Sequence, residues 1–313
     1  MTGIDAQIAL LAVCALFFLF GTGVWIGLSM VGVSIAVMWM FAPAKPAGDA
    51  MATVIFSDSS SWTLTALPLF IWMGEVLFRT AISEEMFRGL APWMRRLPGR
   101  LVHTNVIGCT IFAAVSGSSA ATCATIGKMT VPELRRRGYP DSIAIGSLAG
   151  AGTLGLLIPP SLIMIVYGVQ AEVSIAKLFA AGIIPGLLLA GLMMAYIAGW
   201  SLLHPARIPP ADAPMPLAEK LRESSSLIPV VLLILLVLGS IYAGIATATE
   251  SAAFGVIGSF AIAAWQRRLT WKNFWDSVMG ATRLTSMILL ILAGASFLKL
   301  AMGFTGLPRH LAE

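Results

Sequence analysis

The sequence predicts an all-α polytopic membrane protein whose helices are interrupted by a re-entrant hairpin and by broken segments. Three observations lead there. Hydrophobic residues fill 58% of the 313 positions and charged residues only 11%, against about a quarter charged in a soluble domain. Apolar runs of about 20 residues recur along the chain, the length a helix needs to cross ~30 Å of hydrocarbon. One of those runs, Leu101 to Val131, has arginines at both ends. A single crossing would put basic clusters on both faces of the membrane, against the tendency of basic loops to stay cytoplasmic.

The elements follow in order. Ile4–Phe20 is the first span; it lacks a basic leader and a small-residue cleavage site, so it is expected to be retained rather than removed as a signal peptide. Val24–Phe41 and Trp62–Phe78 are the next spans. Arg79 to Arg100 carries five arginines and places Met86, Phe87, Leu90, Trp93, Met94 and Leu97 at helical spacing, the pattern of an amphipathic helix at the cytoplasmic interface.

Leu101–Val131 is longer than one span and too short for two. A hairpin resolves this: arms of roughly 101–115 and 120–131 would each reach about 18–22 Å at 1.5 Å per residue, turning at Ser116–Ser119. Asp141 to Gln170 contains "AGAGTLGLLIPPSLIMIVYG". Its tandem prolines remove two backbone donors and its glycines loosen the helix, so a broken helix is expected. Ile175–Trp200 returns to a Pro-rich polar linker at 204–223. Leu227–Tyr242, Ala246–Trp265 and about Ser277–Met302 complete the alternation. The boundaries are 1–100 for the N-terminal scaffold helices and the interfacial helix, 101–200 for the hairpin (101–131), broken helix (141–170) and helix (175–200), 201–226 for the cytoplasmic linker, and 227–313 for the remainder.

The net charge of +5 lies in short inter-segment loops, which argues for positive-inside topology rather than nucleic-acid binding. Cys14, Cys109 and Cys123 have no metal spacing and are expected to be small buried hydrophobes. His103, His204 and His310 stand near segment ends, where an interfacial role suits them better than metal binding. Glu75 and Arg79 are four apart on one helix and are expected to pair. Lys128 can snorkel from the hairpin. Glu250 falls either at a helix start or near the outer surface.

"AVSGSSAATCATIG" (114–127) puts five hydroxyls into this apolar context without an acid, a histidine or a proline. Irregular backbone at membrane depth survives only inside protein or beside a watery cavity, and facing broken helices are how many secondary transporters build their sites. The first arm ends in carbonyls of partial negative charge, and the second begins with N–H groups of partial positive charge. With no Asp or Glu in either break, the donor set favours a weakly bound monovalent cation over a divalent metal. Packing of small residues alone is the competing reading. An intramembrane serine hydrolase is disfavoured because "SGSSA" lacks the G-x-S-x-G elbow and no histidine stands near mid-membrane. A channel, another ion-coupled transporter subunit or a non-transporting assembly subunit stays open at this point.

Six blocks then carry a resemblance: "PLFIWMGEVLFRT" (68–80), "VSGSSAATCATIG" (115–127), "PELRRRGYP" (132–140), "AGTLGLLIPPSLIMIVYGV" (151–169), "LFAAGIIPGLLL" (178–189) and "YAGIATATESAAFGV" (242–256). Over about 68 to 300 the chain resembles the DctM-like large permease subunit of tripartite ATP-independent periplasmic (TRAP) transporters. The resemblance implies a bacterial inner-membrane, sodium-driven uptake system for organic acids such as C4-dicarboxylates or sialic acid. It further implies an elevator-type fold of two inverted repeats, with 101–200 the first transport-domain repeat and 227–313 the start of a second. A periplasmic solute-binding protein and a small four-helix membrane subunit come with it as partners, and Na+ as coupling ion without a tightly bound cofactor. The sodium site falls on Ser116, Ser119, Gly155, Ile158 and Pro160, the serines acting partly through side chains and the others through carbonyls. Ser118, Ser119 and Thr122 are the positions expected to contact substrate. Family members run on past Glu313, so the chain's end in "GLPRHLAE" is expected to truncate the second repeat.

Overall fold

The computed structural model describes residues 3–41, 47–210 and 215–305. Among them every regular element is helical. In chain order these are α1 (Gly3–Gly21), α2 (Ile26–Phe41), α3 (Ala47–Ser59), α4 (Ala66–Phe78), α5 (Ile82–Met94), α6 (His103–Ser116), α7 (Ser119–Arg136), α8 (Asp141–Gly152), α9 (Leu162–Gln170), α10 (Ile175–Leu203), α11 (Leu217–Ser224), α12 (Ile228–Tyr242), α13 (Ala248–Trp265) and α14 (Trp271–Phe304), with short 3-10 turns between several of them. Four to five candidate spans meet the length and hydropathy that crossing a membrane requires, while Leu10–Gly21 and Ile26–Met40 are shorter apolar helices. Large apolar side chains face outward along the long helices, with Ile184 77% and Leu203 80% exposed. Only a hydrocarbon solvent makes that arrangement stable, so the chain is a multi-pass membrane protein.

Residues fall into two compact units, 63–281 on one side and 1–62 with 282–313 on the other. The smaller unit packs Val33, Val37 and Met38 of α2 with Ala12, Phe297 and Ala301. A Cβ added to Gly294 would sit 2.7 Å from the Gly27 carbonyl, the close backbone approach that small residues allow between membrane helices.

In the larger unit, α4 runs against α13, and the Trp72 ring meets Phe260 edge-on at 5.3 Å while its Nε1 donates to Ser277 Oγ at 3.2 Å. Phe70 and Phe179 meet edge-on at 6.2 Å where α4 reaches α10. Asn105 Nδ2 donates to Ala144 O at 2.9 Å and Ser147 Oγ at 2.8 Å, joining α6 to α8. The stripe Ile82, Met86, Leu90 and Met94 of α5 is buried, with i,i+4 spacing on one face. Trp93 Nε1 donates to Ser224 Oγ at 2.7 Å, and Ser226 Oγ donates to Glu85 O at 3.0 Å. The apolar face of this amphipathic helix is therefore spent on protein contacts.

Several expectations need correction. Helix α3 arises where no element is expected; none of its described side chains is fully buried, and Ala47, Ala50 and Met51 are only partly buried against the core of the smaller unit. Helix α11 lies inside the polar linker, where Leu217 and Leu221 stay exposed; residues 211–214 of that linker fall outside the described residues. The second hairpin arm runs to Arg136 rather than stopping near 131, because α7 continues through Pro132 into its charged end. Of the cysteines only Cys109 is buried; Cys14 is exposed and Cys123 intermediate, which costs a thiol little where the surroundings are apolar. The expectation for the chain end at 306–313, with His310, falls outside the described residues.

Candidate functional site

Two breaks define the site, and each has a local cause. Helix α6 ends because Gly117 takes φ +60°, the left-handed conformation that favours glycine, and its N–H caps Ala113 O at 3.0 Å. Ser118 is extended and starts α7, its Oγ accepting from Ala121 N at 3.4 Å. The two arms fold back fully. Leu101 N–H, at the start of the first, donates to Tyr139 Oη, just past the end of the second, at 3.4 Å.

In the second break α8 tightens into a 3-10 turn at Thr153–Leu156. Pro159 and Pro160 have no N–H to donate to the carbonyls of Gly155 and Leu156, four residues back. Ser161 Oγ takes over at Leu156 O, at 2.8 Å. No donor among the described residues reaches Gly155 O. The Pro159–Pro160 peptide is cis.

The two breaks meet. Leu162 N–H, the first of α9, donates to Gly117 O at 3.1 Å. A Cβ on Gly117 would lie 2.7 Å from Pro160 O, and one on Gly155 would lie 2.9 Å from both Ser118 C and Ser119 N. Glycines of the surrounding helices close the junction. Gly74 of α4 would put a Cβ 3.2 Å from Ser116 Cα, and in α10 a Cβ on Gly182 would lie 2.6 Å from Leu157 O and one on Gly186 2.9 Å from Ile158 Cγ1.

Every position singled out for cation binding stands at this junction. Ser116 is 5% exposed and its Oγ shares a 2.8 Å hydrogen bond with Thr122 Oγ1. Gly155 is buried against Ser118 and Ser119, Ile158 lies beneath Gly186, and the Pro160 carbonyl faces Gly117. Of the positions expected to touch substrate, Ser118 and Ser119 are half-buried and Thr122 is fully buried. Further along α7, Thr125 Oγ1 is buried without a hydrogen-bond partner among the described residues. It was legible as the next threonine, three residues beyond Thr122 on α7. Chemically the junction offers neutral oxygens, one carbonyl freed by the prolines, the carbonyl end of α6 and the N–H end of α7. No group of His, Cys, Asp or Glu suited to a metal ion occurs among the described residues.

The remaining polar residues have local partners. Glu75 and Arg79 form an ion pair, and Arg79 also donates to Asp276 O at 2.9 Å. Lys128 Nζ stands 4.9 Å from the Phe78 ring centre, a cation–π distance. Glu250 is at a helix start: its carboxylate accepts from Thr247 N at 2.8 Å while Thr247 Oγ1 accepts from Glu250 N at 3.3 Å, closing a capping box on α13. His103 is buried with Nε2 2.6 Å from Pro98 O, and His204 stacks on Trp200 with ring centres 4.7 Å apart.

Residues 13–313 match the family model described as the tripartite ATP-independent periplasmic transporter, DctM component. Among characterised relatives, the chain is 32% identical to the C4-dicarboxylate TRAP transporter large permease protein DctM of Pseudomonas aeruginosa, over 84% of this chain and 61% of that protein. It is 31% identical to the protein of the same description from Vibrio cholerae, over 97% of this chain and 72% of the relative. It is also 31% identical to the isethionate TRAP transporter permease protein DctMQ of Oleidesulfovibrio alaskensis, over 99% of this chain and 48% of the relative. The chain thus spans about half to somewhat over two thirds of the length of these relatives.

Proposed function

Because the chain belongs to the DctM component family of the tripartite ATP-independent periplasmic transporters, we propose that it carries the first cation site of a sodium-coupled organic-acid permease of the bacterial inner membrane. The substrate reaches it from a periplasmic binding protein, and a small membrane subunit completes the assembly; a relative named as a single DctMQ permease protein supports that association. Acids named for relatives include C4-dicarboxylate and isethionate, and a C4-dicarboxylate-like acid is the class proposed here. In this reading the unit 101–200 moves as the first of two inverted repeats in an elevator-type cycle. The protein acts as a transporter and not as an enzyme.

The observation that carries the proposal is the hydrogen bond from Leu162 N–H to Gly117 O, with the Gly155 contact beside it. Together they hold a serine-rich helix turn against a carbonyl released by tandem prolines. Ser116, Ser119 and the carbonyls of Gly155, Ile158 and Pro160 would coordinate Na+, and Ser118, Ser119 and Thr122 would face the substrate. Such a set of neutral oxygens suits a cation that must be released in every cycle.

The test is the sodium dependence of uptake in proteoliposomes holding the permease, the small subunit and the binding protein. One hydrogen bond to a charged group is worth ~1.5–3 kcal/mol, so Ser119→Ala or Ser116→Ala should raise the half-maximal sodium concentration roughly ten- to a hundredfold. Ser119→Ala is the cleaner variant, since Ser116→Ala also removes the bond to Thr122. If the serines serve packing alone, both alanine variants will leave the sodium curve unchanged while Ser119→Val disrupts assembly. That outcome would overturn the cation site.

A further inference from the structure

At the opposite end of the hairpin from its tip lies a cavity of about 190 Å³ between the end of α5, the start of α6 and the end of α7. Arg95, Arg100 and Arg137 line it together with Tyr139 and the paired prolines 209–210, and no carboxylate stands among its described lining residues. Arg137 is partly neutralised, its Nε donating to Glu133 Oε1 at 2.7 Å. In Arg100 one nitrogen, Nη1, is buried with no hydrogen-bond partner among the described residues, while the residue as a whole is partly exposed. A guanidinium cannot shed its charge to escape burial, and a buried donor left without a partner is costly. The backbone aims it there, because Arg100 sits at φ +47°, a conformation that an L side chain adopts only under constraint. Its amide donates to Leu97 O at 2.9 Å, which fixes the turn.

We infer that this cavity is a binding site for a phosphate group, with Arg100 as its anchor and the headgroup of an anionic phospholipid or a free phosphate ion as its source. The planar fork of arginine matches phosphate oxygens two at a time. Basic pockets at the cytoplasmic ends of membrane helices are where lipid headgroups are held. A phosphate here would tie α5, both ends of the hairpin and the linker at 209–210 to one another.

The experiment measures the thermal midpoint of the full chain in phosphatidylcholine nanodiscs with and without phosphatidylglycerol, and separately with added inorganic phosphate. A ligand of the native state raises that midpoint. Arg100→Gln should weaken the apparent affinity roughly ten- to a hundredfold, and Arg100→Lys should recover part of the loss through its point charge. Arg96→Gln, which removes an equal charge from an exposed residue of the same loop, should behave as wild type. Stabilisation by phosphatidylglycerol alone assigns the site to lipid, and stabilisation by phosphate ions assigns it to the free anion. Either result sustains the site if Arg100→Gln abolishes it. If neither probe stabilises the protein, or if Arg96→Gln loses as much as Arg100→Gln, the site does not exist and only diffuse surface charge remains.

Discussion

Replacing Gly117 with alanine should separate the hairpin tip from the broken helix. At this position φ is +60°, and a left-handed conformation costs a residue with a Cβ ~1–2 kcal/mol. The new methyl would also lie 2.7 Å from Pro160 O and 3.3 Å from Leu162 N. Both are backbone atoms that no rotamer change can move, and overpacking of this kind typically costs ~1–3 kcal/mol. The sum, about 2–5 kcal/mol, shifts the balance between docked and undocked tip by roughly 30-fold to several thousandfold. Moving the tip away relieves the clash but lengthens the Leu162 N–H to Gly117 O bond, so the junction loses on either path. The assay pairs a thermal melt in detergent with a sodium titration of uptake. Gly146→Ala in α8 is the control, since nothing lies within 4 Å of its Cβ position and alanine is the better helix former. Gly117→Asn separates the two terms: asparagine tolerates the left-handed conformation yet brings the same Cβ against Pro160 O, so it should remain impaired. Were Gly117→Ala to melt with the control and keep the wild-type sodium curve, the inferred contact between the breaks would be refuted.

In a background with Cys14, Cys109 and Cys123 replaced, Arg100→Cys and Arg135→Cys should both label only from the cytoplasmic face; periplasmic labelling of either would remove the hairpin topology. Thr247→Ala should destabilise by about 1 kcal/mol through loss of the α13 capping box, and an unchanged melting temperature would show that the cap contributes nothing. Partial burial raises the Glu133 pKa, but the guanidinium bonds from Arg137 and Arg136 outweigh it and hold the carboxyl below its usual range. Such a group stabilises the fold above its unfolded-state pKa and loses that contribution as pH falls through the folded-state value. Glu133→Gln should therefore melt below wild type at neutral pH, by about 1 kcal/mol for partly exposed ion pairs, and the two curves should converge in acid. A gap that persisted at low pH would assign the loss to packing instead.

The membrane class and the existence of both breaks were written in the sequence, because each rests on local chemistry. Apolar runs of spanning length report their solvent, arginines at both ends of 101–131 report a chain that turns back, and Pro159–Pro160 must interrupt a helix wherever they stand. The capping box at Thr247 and Glu250 is equally local, yet the sequence left Glu250 open between a helix start and the outer surface. Helix α3 escaped because its inward face, Ala47, Ala50, Met51, Val54 and Ile55, is short and only partly buried. The burial of the α5 stripe inside the protein escaped for a different reason: periodicity tells that a face is apolar but not what covers it. What only the tertiary structure decided is that Gly117 meets Pro160, that Gly155 meets Ser118 and Ser119, and that Arg100 and Arg137 line one cavity. Each of those pairs lies more than 35 residues apart in sequence, and which backbone atoms approach within 3 Å depends on how whole helices pack. The candidate residues could be read one at a time along the chain; the fold places them at one junction.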